Sequence, residues 1–301
     1  MTFFEKKITY FNSFFDQFST RNYLTNVYGF ARSALAFGTL STLLAHPLFA
    51  ICPKTEFGLN RHEFYLDKFN LYFLCGYENL WIGQLISIAI LILVIVGYFP
   101  QITGVLHWWV SFSFFSSVTL VDGGDQITTN LTLFLIPLTL LDRRINHWYE
   151  PKLTSYRQNF IAKIIFFILL IQVAVIYLQA GVEKLYLCKE FVDGTAVYYW
   201  FNHNIFGLPE WLRPAVNSLL KYPIIMAFTT WGTVIFEIVM FGIVFSSPPV
   251  RRKFLWAAII FHLSILFFFG LFSFFFAMMG CIILYCLPWD EQIEFKKILR
   301  R

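Results

Sequence analysis

The run Ile161-Ala-Lys-Ile-Ile-Phe-Phe-Ile-Leu-Leu-Ile-Gln-Val-Ala-Val-Ile-Tyr-Leu-Gln-Ala-Gly-Val-Glu-Lys-Leu185 is long and apolar enough to cross a bilayer as one helix. From Ile161 to Leu178 only Lys163 and Gln172 interrupt it, and the adjacent, oppositely charged residues Glu183 and Lys184 follow near its end. An ionisable side chain at mid-membrane costs on the order of 3 kcal/mol. The cost is smaller near a helix end, where a lysine reaches the interface. The Glu183–Lys184 pair therefore indicates either a membrane boundary or a functional site.

The composition of the chain indicates a membrane protein. Hydrophobic residues make up 58% of the sequence and charged residues only 14%, and the mean hydropathy is +0.63. Such a chain has too little polar surface to cover a water-facing shell, so it is not a soluble globular protein. The formal charge of +5 does not indicate a nucleic-acid partner, because the basic residues cluster in short segments between apolar runs. We expect the lipid bilayer to be the solvent.

The apolar runs predict an all-α, polytopic membrane protein with about eight transmembrane segments, each near the ~20 residues that the hydrocarbon layer requires. We expect a single membrane domain over residues 1–301. We expect two short final spans hinged near Gly270. The predicted spans are residues 27–50, 81–99, 102–121, 126–141, 160–184, 223–246, 254–269 and 271–287.

The positions of lysine and arginine predict the orientation of these spans. Basic clusters precede the first span, follow the fourth and the sixth, and end the chain, so an even number of spans places all four clusters on one side. Both termini are then cytoplasmic, with residues 1–22 as an interfacial amphipathic segment and residues 288–301 as a basic tail. Residues 185–222 form an extracytoplasmic loop. Arg32, near the basic side, is expected to be an anchor at that surface.

The cysteines predict a disulfide rather than a metal site. Cys52 and Cys75 fall in the first predicted outer loop, where a bridge can form, and Cys188 in a later outer loop competes for either partner. The sequence contains no Cys-x-x-Cys and no histidine pair at i, i+4. We therefore expect no bound metal.

Polar residues within the predicted spans identify a candidate cavity. Gln172, Gln179 and Glu183 recur at helical spacing and share one face. Lipid makes such residues costly, so we expect them to line a polar cavity together with four polar residues of other spans, Glu237, His262, His107 and Asn130. Three simpler explanations compete with this one. Glu183 and Lys184 pair at a helix end, Glu237 and His262 bond across two helices, or the remaining groups hold helices together.

Three motifs resemble the horizontally transferred transmembrane (HTTM) domain, the membrane domain of vitamin K-dependent gamma-carboxylase. They are Tyr177-Leu-Gln-Ala-Gly-Val-Glu-Lys-Leu185, Leu138-Thr-Leu-Leu-Asp142 ahead of Arg144, and Phe261-His262, in the order of that family. The resemblance covers residues 20 to 290. The short length, the two-cysteine outer loop and the run from Asp122 to Leu131 are most similar to the sporulation-delaying protein B group. Proteins of that group are bacterial membrane proteins needed to mature a secreted peptide toxin.

The resemblance implies a chemistry and a set of partners. It makes Lys184 the base that deprotonates a quinone-type cofactor, a vitamin K-like hydroquinone. Glu183 occupies a position where the carboxylase has a second lysine, so we expect Glu183 to modulate Lys184. The carboxylase also has a large lumenal domain without a counterpart here. We therefore expect a separately encoded soluble or peripheral partner, alongside a secreted precursor peptide as the substrate.

Together these inferences favour a multi-pass protein of a bacterial cell membrane that matures or modifies a secreted, bacteriocin-type peptide. Two alternatives come from other classes. A non-catalytic scaffold or toxin-immunity protein would use Lys184 only as an ion-pair partner of Glu183. A quinone-binding redox protein would handle a hydroquinone without a peptide. The sequence does not distinguish cleavage from carboxylation or another modification.

Overall fold

The computed structural model describes residues 22–54, 68–119, 121–150 and 154–293, and this part of the chain is helical without a β-strand. An isolated bridge between Tyr98 and Asn146 is the one β-type contact recorded there. In chain order, the helices are α1 (Asn26–Ala45), α2 (Leu48–Ile51), α3 (Leu71–Cys75), α4 (Leu80–Val96), α5 (Pro100–Ser117), α6 (Gly123–Leu141), α7 (Tyr156–Leu187), α8 (Lys189–Val192), α9 (Ala196–Phe201), α10 (Arg213–Leu220), α11 (Pro223–Gly242), α12 (Pro248–Phe269) and α13 (Phe272–Cys286).

The membrane assignment rests on the long apolar helices. Four helical segments are long and apolar enough to cross a membrane: Tyr77–Val96, Tyr156–Leu187, Pro223–Phe245 and Pro248–Phe269. Large apolar side chains on α12 point away from the protein, including Trp256 and Ile260, as expected of a lipid-facing surface. The all-helical membrane class is thus confirmed at this level. The count of about eight spans stays a prediction.

The break between the last two helices lies where the sequence places it. α12 ends at Phe269, and Gly270 adopts φ 68°, the left-handed conformation that glycine tolerates best at a helix C-terminus. α13 begins two residues later at Phe272. The predicted hinge near Gly270 is therefore confirmed as a helix boundary.

Close helix packing surrounds α1, where small residues let two backbones approach. A Cβ atom on Gly38 would lie 2.9 Å from the carbonyl oxygen of Ser273, and one on Gly280 would lie 2.6 Å from the Leu35 side chain. Membrane helices commonly pack through such positions, because apolar burial alone gives little driving force in lipid. α1 and α13 consequently form one wall of the main core, with α6 and α7 against them.

The two ends of the described chain meet at one end of the bundle, the termini end. The Asn26 amide donates to the Ile293 carbonyl at 2.9 Å, and the Ile293 N–H donates back to Asn26 at 2.8 Å. Which side of a membrane this end faces stays a prediction. Residues 1–21 and 294–301 lie outside the described residues, and with them most of the predicted interfacial segment and basic tail.

A buried ion pair closes the termini end. Arg144 binds both oxygens of Asp142, with Nε at 2.9 Å from Oδ1 and Nη2 at 2.7 Å from Oδ2, and the Tyr28 hydroxyl donates to the same carboxylate. Arg144 also donates to the Thr25 carbonyl at 3.3 Å, which ties α1 to the loop after α6. The motif residues Asp142 and Arg144 therefore hold the fold together here.

Arg32 corrects one expectation. The sequence predicts a surface anchor, but the Arg32 side chain is only 1% exposed and lies inside the bundle. It donates to the Thr103 hydroxyl at 3.1 Å and faces Nδ1 of His147 at 3.4 Å. The prediction is wrong because α1 packs on several sides, so even its second turn is interior.

Candidate functional site

A cavity of about 460 Å³ opens at the end of the bundle opposite the termini end. It lies between the last turns of α7, the N-terminal part of α11, the C-terminal half of α12, and the segment of α8 and α9. Its walls are mainly aromatic: Phe191, Trp200, Phe201, Phe206, Phe261, Phe268, Phe269 and Phe274. A few polar groups face it: Asp122, Lys184, Thr229, Thr230, Thr233, Glu237, His262 and Ser264. Apolar walls with few converging polar groups are typical of a small-molecule site.

An ion pair between α7 and α11 supplies the charge in this cavity. The Lys184 ammonium lies 2.6 Å and 2.8 Å from the two oxygens of Glu237, and 3.2 Å from the Ala180 carbonyl. The Glu237 side chain is 9% exposed and the Lys184 side chain 27%. Lys184 is therefore the more accessible member of the pair.

The sequence brings these two side chains together through a small residue. Gly181 is buried one turn before Lys184, and a Cβ atom there would lie 3.2 Å from Ile238 and 3.5 Å from the Glu237 Cβ. The missing side chain lets α7 approach α11 at the level of the carboxylate. Tyr177, Gly181 and Lys184 recur at helical spacing, so the motif presents one face to α11 and the cavity.

The Phe191 ring provides a second contact to the Lys184 ammonium, besides Glu237. Lys184 Nζ lies 5.8 Å from the centre of that ring, within the range of a cation–π contact. Phe191 belongs to α8, directly after the C-terminus of α7. The N–H of Val197 donates to the Thr230 hydroxyl at 3.2 Å, which fixes α9 against α11. The predicted outer loop thus contributes one wall of the cavity.

His262 supplies a second polar group from α12. Its Nε2 lies 3.1 Å from the Tyr177 hydroxyl, while its Nδ1 is buried and has no partner among the described residues. The rings of Phe261 and Phe274 surround the imidazole at 5.1 Å and 5.8 Å. The phenol therefore fixes one ring nitrogen, and the other is left for a ligand or a water molecule.

The structure separates Glu183 from the site. Glu183 is exposed and accepts a hydrogen bond from the Gln179 amide at 2.6 Å, and neither residue lines the cavity. The carboxylate partner of Lys184 is Glu237. A Glu183–Lys184 pair at the helix end is therefore not what the structure shows.

The remaining residues of the predicted cavity also lie elsewhere. Gln172 and Asn130 are partly buried and do not line this cavity, and His107 is buried within α5. The cross-helix bond between Glu237 and His262 is absent from the described contacts, because Glu237 binds Lys184 and His262 binds Tyr177. Of the predicted set, Lys184, Glu237 and His262 share the site.

Three further features of the site are not among those predicted from the sequence. Tyr177, inside the quoted motif, orients His262. The Ser273 hydroxyl donates to Asp122 at 2.9 Å, next to the helix cap that Asp122 forms for α6. Thr229, Thr230 and Thr233 precede Glu237 on α11 at spacings that place polar atoms beside the cavity. This polar stripe in an apolar helix was the available signal.

The cysteines are free in the structure. Cys52 is buried, Cys75 and Cys188 are partly buried, and none is bonded to another cysteine. Cys52 and Cys75 belong to the same apolar cluster around Tyr72. The predicted Cys52–Cys75 bridge is thus not shown, although both thiols lie in one region. No group of His, Cys, Asp or Glu side chains within the described ranges has the arrangement of a metal site.

Comparison with known proteins identifies relatives over nearly the whole chain. The chain is 38% identical over 287 residues to a protein of Bacillus subtilis (strain 168) named "Uncharacterized protein YitO", covering 93% of this chain and 91% of that protein. It is 34% identical over 286 residues to the "Sporulation-delaying protein SdpB" of the same organism, covering 94% of this chain and 87% of SdpB. No family model and no solved structure matches it. Identity of this extent over almost the full length of both chains places the protein in the family of the sporulation-delaying protein SdpB.

Proposed function

We propose that this chain is a multi-pass protein of a bacterial cell membrane that matures or modifies a secreted, toxin-type peptide, with Lys184 as its acid/base residue. The observation that carries the proposal is the Lys184–Glu237 pair in an aromatic cavity. An ion pair that only joined two helices would not need a cavity beside it, so the cavity favours a chemical role for the pair. The cavity lies opposite the termini end, so the predicted orientation would place the reaction at the outer membrane face.

Glu237 gives Lys184 a route for its proton. In the resting state the ammonium donates to both carboxylate oxygens. When a ligand hydroxyl reaches the cavity, Lys184 passes one proton to Glu237 and takes the proton of the hydroxyl. The products are a protonated Glu237 and a ligand oxyanion paired with the ammonium. Exclusion of water by the aromatic walls strengthens that pairing.

The residues of the cavity fit a quinone or hydroquinone cofactor, as the family resemblance implies. The volume is within the usual range for small-molecule sites, and the aromatic walls suit a flat ring. Lys184 at one side and the unpartnered Nδ1 of His262 at another suit ring oxygens. Such a group would supply reducing equivalents when bound. Lys184 would accept its hydroxyl proton, and His262, oriented by Tyr177, would bind a second oxygen.

The mouth of the cavity is the proposed peptide contact. Trp200 and Phe206 line it, and Tyr198 and Tyr199 are exposed beside them. Aromatic side chains also concentrate at membrane interfaces, so lipid contact is the competing role for these residues. A separately encoded soluble or peripheral partner would present the peptide at this surface.

Co-expression with a small secreted precursor peptide tests the proposal. If this protein modifies the peptide, the mass of the secreted peptide should change only when the protein is present. The size of the change identifies the reaction. A mature peptide of unchanged mass would favour a scaffold or immunity protein. Mass spectrometry of lipids extracted from the purified protein tests separately for a bound quinone.

A further inference from the structure

A second buried polar site lies near the termini end, apart from the Lys184 cavity. It centres on Arg32 of α1, whose guanidinium donates to the Thr103 hydroxyl and faces His147. Within the described part of the chain, no carboxylate lies at ion-pair distance from Arg32. A buried guanidinium without a counter-charge is strongly unfavourable in a membrane-embedded bundle.

The neighbouring carboxylate, Asp142, is paired with Arg144 rather than with Arg32. The Nε–H of Arg144 is shared between both Asp142 oxygens, and its Nη2, its backbone N–H and the Tyr28 hydroxyl also donate to this carboxylate. Asp142 and Arg144 together are neutral. Among the described residues, the positive charge of Arg32 therefore has no paired carboxylate.

His147 adds a donor rather than a charge. Burial, and then the charges of Arg32 and Arg144, lower the pKa of His147 to about 2, so the ring is neutral at physiological pH. Arg32 can only donate, so the ring nitrogen facing it, Nδ1, is the acceptor and the proton lies on Nε2. That N–H is buried and has no partner in the described structure.

His107 supplies the second unpartnered group. It lies one helical turn beyond Thr103 on the same face of α5 and is only 1% exposed. Neither of its ring nitrogens has a hydrogen-bond partner among the described residues. Buried imidazoles are normally hydrogen-bonded, so an unpartnered ring one helical turn from the threonine that binds Arg32 indicates a missing acceptor.

We propose that a small monovalent anion of chloride size binds beside the Arg32 guanidinium, with His107 as a second donor. The unpaired charge selects an anion over a neutral molecule, and the burial of Arg32 and His107, each 1% exposed, selects a small one. A buried water molecule would satisfy the imidazoles and leave the charge of Arg32 uncompensated. The site is independent of the Lys184 chemistry and serves to hold α1, α5 and the loop after α6 together.

Thermal unfolding of the purified full chain in detergent tests the proposal. Sodium chloride replaces sodium gluconate at constant ionic strength, and the midpoint temperature is followed. We expect the midpoint of the wild-type protein to rise along a saturating curve. Arg252→Gln removes an exposed arginine at the same end of the bundle and should leave that curve unchanged. Arg32→Gln should abolish the rise.

A second variant keeps the test decisive if Arg32→Gln does not fold. His107→Leu keeps the charge and removes a donor, so the chloride concentration of half effect should increase about tenfold. An unchanged half-effect concentration in His107→Leu would overturn the site. The site would also be overturned if chloride left the midpoint temperature of the wild-type protein unchanged, or if it raised the midpoint of a folded Arg32→Gln variant equally.

Discussion

Lys184 Nζ lies 2.6 Å and 2.8 Å from the two carboxylate oxygens of Glu237, a residue 53 positions away on another helix. Its sequence neighbour Glu183 binds Gln179 on the exposed side of α7. One acid therefore belongs to the cavity and the other to the surface. The roles of the two carboxylates can be separated by experiment.

Replacing Glu237 with Gln should destabilise the protein and stop peptide processing. The change leaves a partly buried ammonium without a counter-charge and removes the proton acceptor of Lys184. Because Lys184 retains some solvent contact, we expect a loss of about 1–3 kcal/mol in the free energy of unfolding. Thermal melts in detergent measure the stability, and peptide mass measures the processing.

The matched control is Glu183→Gln, the same chemical change one position before Lys184. Glu183 is exposed, so stability and processing should both stay near the wild-type values. The double variant Lys184→Met/Glu237→Gln should recover part of the stability that Glu237→Gln loses, because no unpaired charge remains. Equal losses in the Glu183 and Glu237 variants would argue against the assigned partner.

Gly181→Leu should separate α7 from α11 and impair processing. The new side chain meets Ile238 and the base of Glu237, so the helices must move apart and the ion pair lengthens. We expect a loss of about 1–3 kcal/mol from overpacking. Gly232→Leu on α11 is the control, since nothing lies within 4 Å of its Cβ position. Similar defects in both variants would mean that helix contact at Gly181 has no special role.

Asp142→Asn should destabilise the termini end without touching the cavity. The Asp142–Arg144 pair is buried, with side chains 2% and 3% exposed, so loss of the carboxylate leaves a buried guanidinium. We expect a loss of roughly 3–5 kcal/mol. Tyr28→Phe removes only one hydrogen bond and should cost about 1 kcal/mol. A melting temperature in Asp142→Asn equal to that of Tyr28→Phe would contradict this ranking.

The thiols of Cys52 and Cys75 should differ in reactivity. Burial raises the pKa of Cys52 to about 12, so almost no reactive thiolate exists near neutral pH. Cys75 is partly exposed and should react first with a maleimide reagent. Peptide mapping after timed labelling measures the order. Protection of both residues that disappears on reduction would instead demonstrate the predicted disulfide.

Much of the helical pattern follows from the sequence, because lipid imposes length and apolarity on each span. The predicted span 81–99 matches α4, and the predicted span 223–246 matches α11 with its short extension. The break at Gly270 was also predictable, since a glycine between two apolar runs favours a left-handed helix end. These features depend on residues close together in the chain.

The pairing of the site residues did not follow from the sequence. Lys184 was singled out by its motif, but adjacency suggested Glu183 as its partner, whereas helix packing selects Glu237. The interior position of Arg32 was missed for the same reason, because the side from which other helices cover α1 is a tertiary property. Gln172 and Asn130 were placed in the cavity by polarity alone, which does not determine the facing helix.

The acid/base role of Lys184 is tested most directly by the mass of the co-expressed secreted peptide with wild-type protein and with Lys184→Met, both checked for folding by thermal melts. We expect a mass change with the wild-type protein and with Glu183→Gln, and an unmodified peptide with Lys184→Met. A folded Lys184→Met variant that still produces the full mass change would contradict that role.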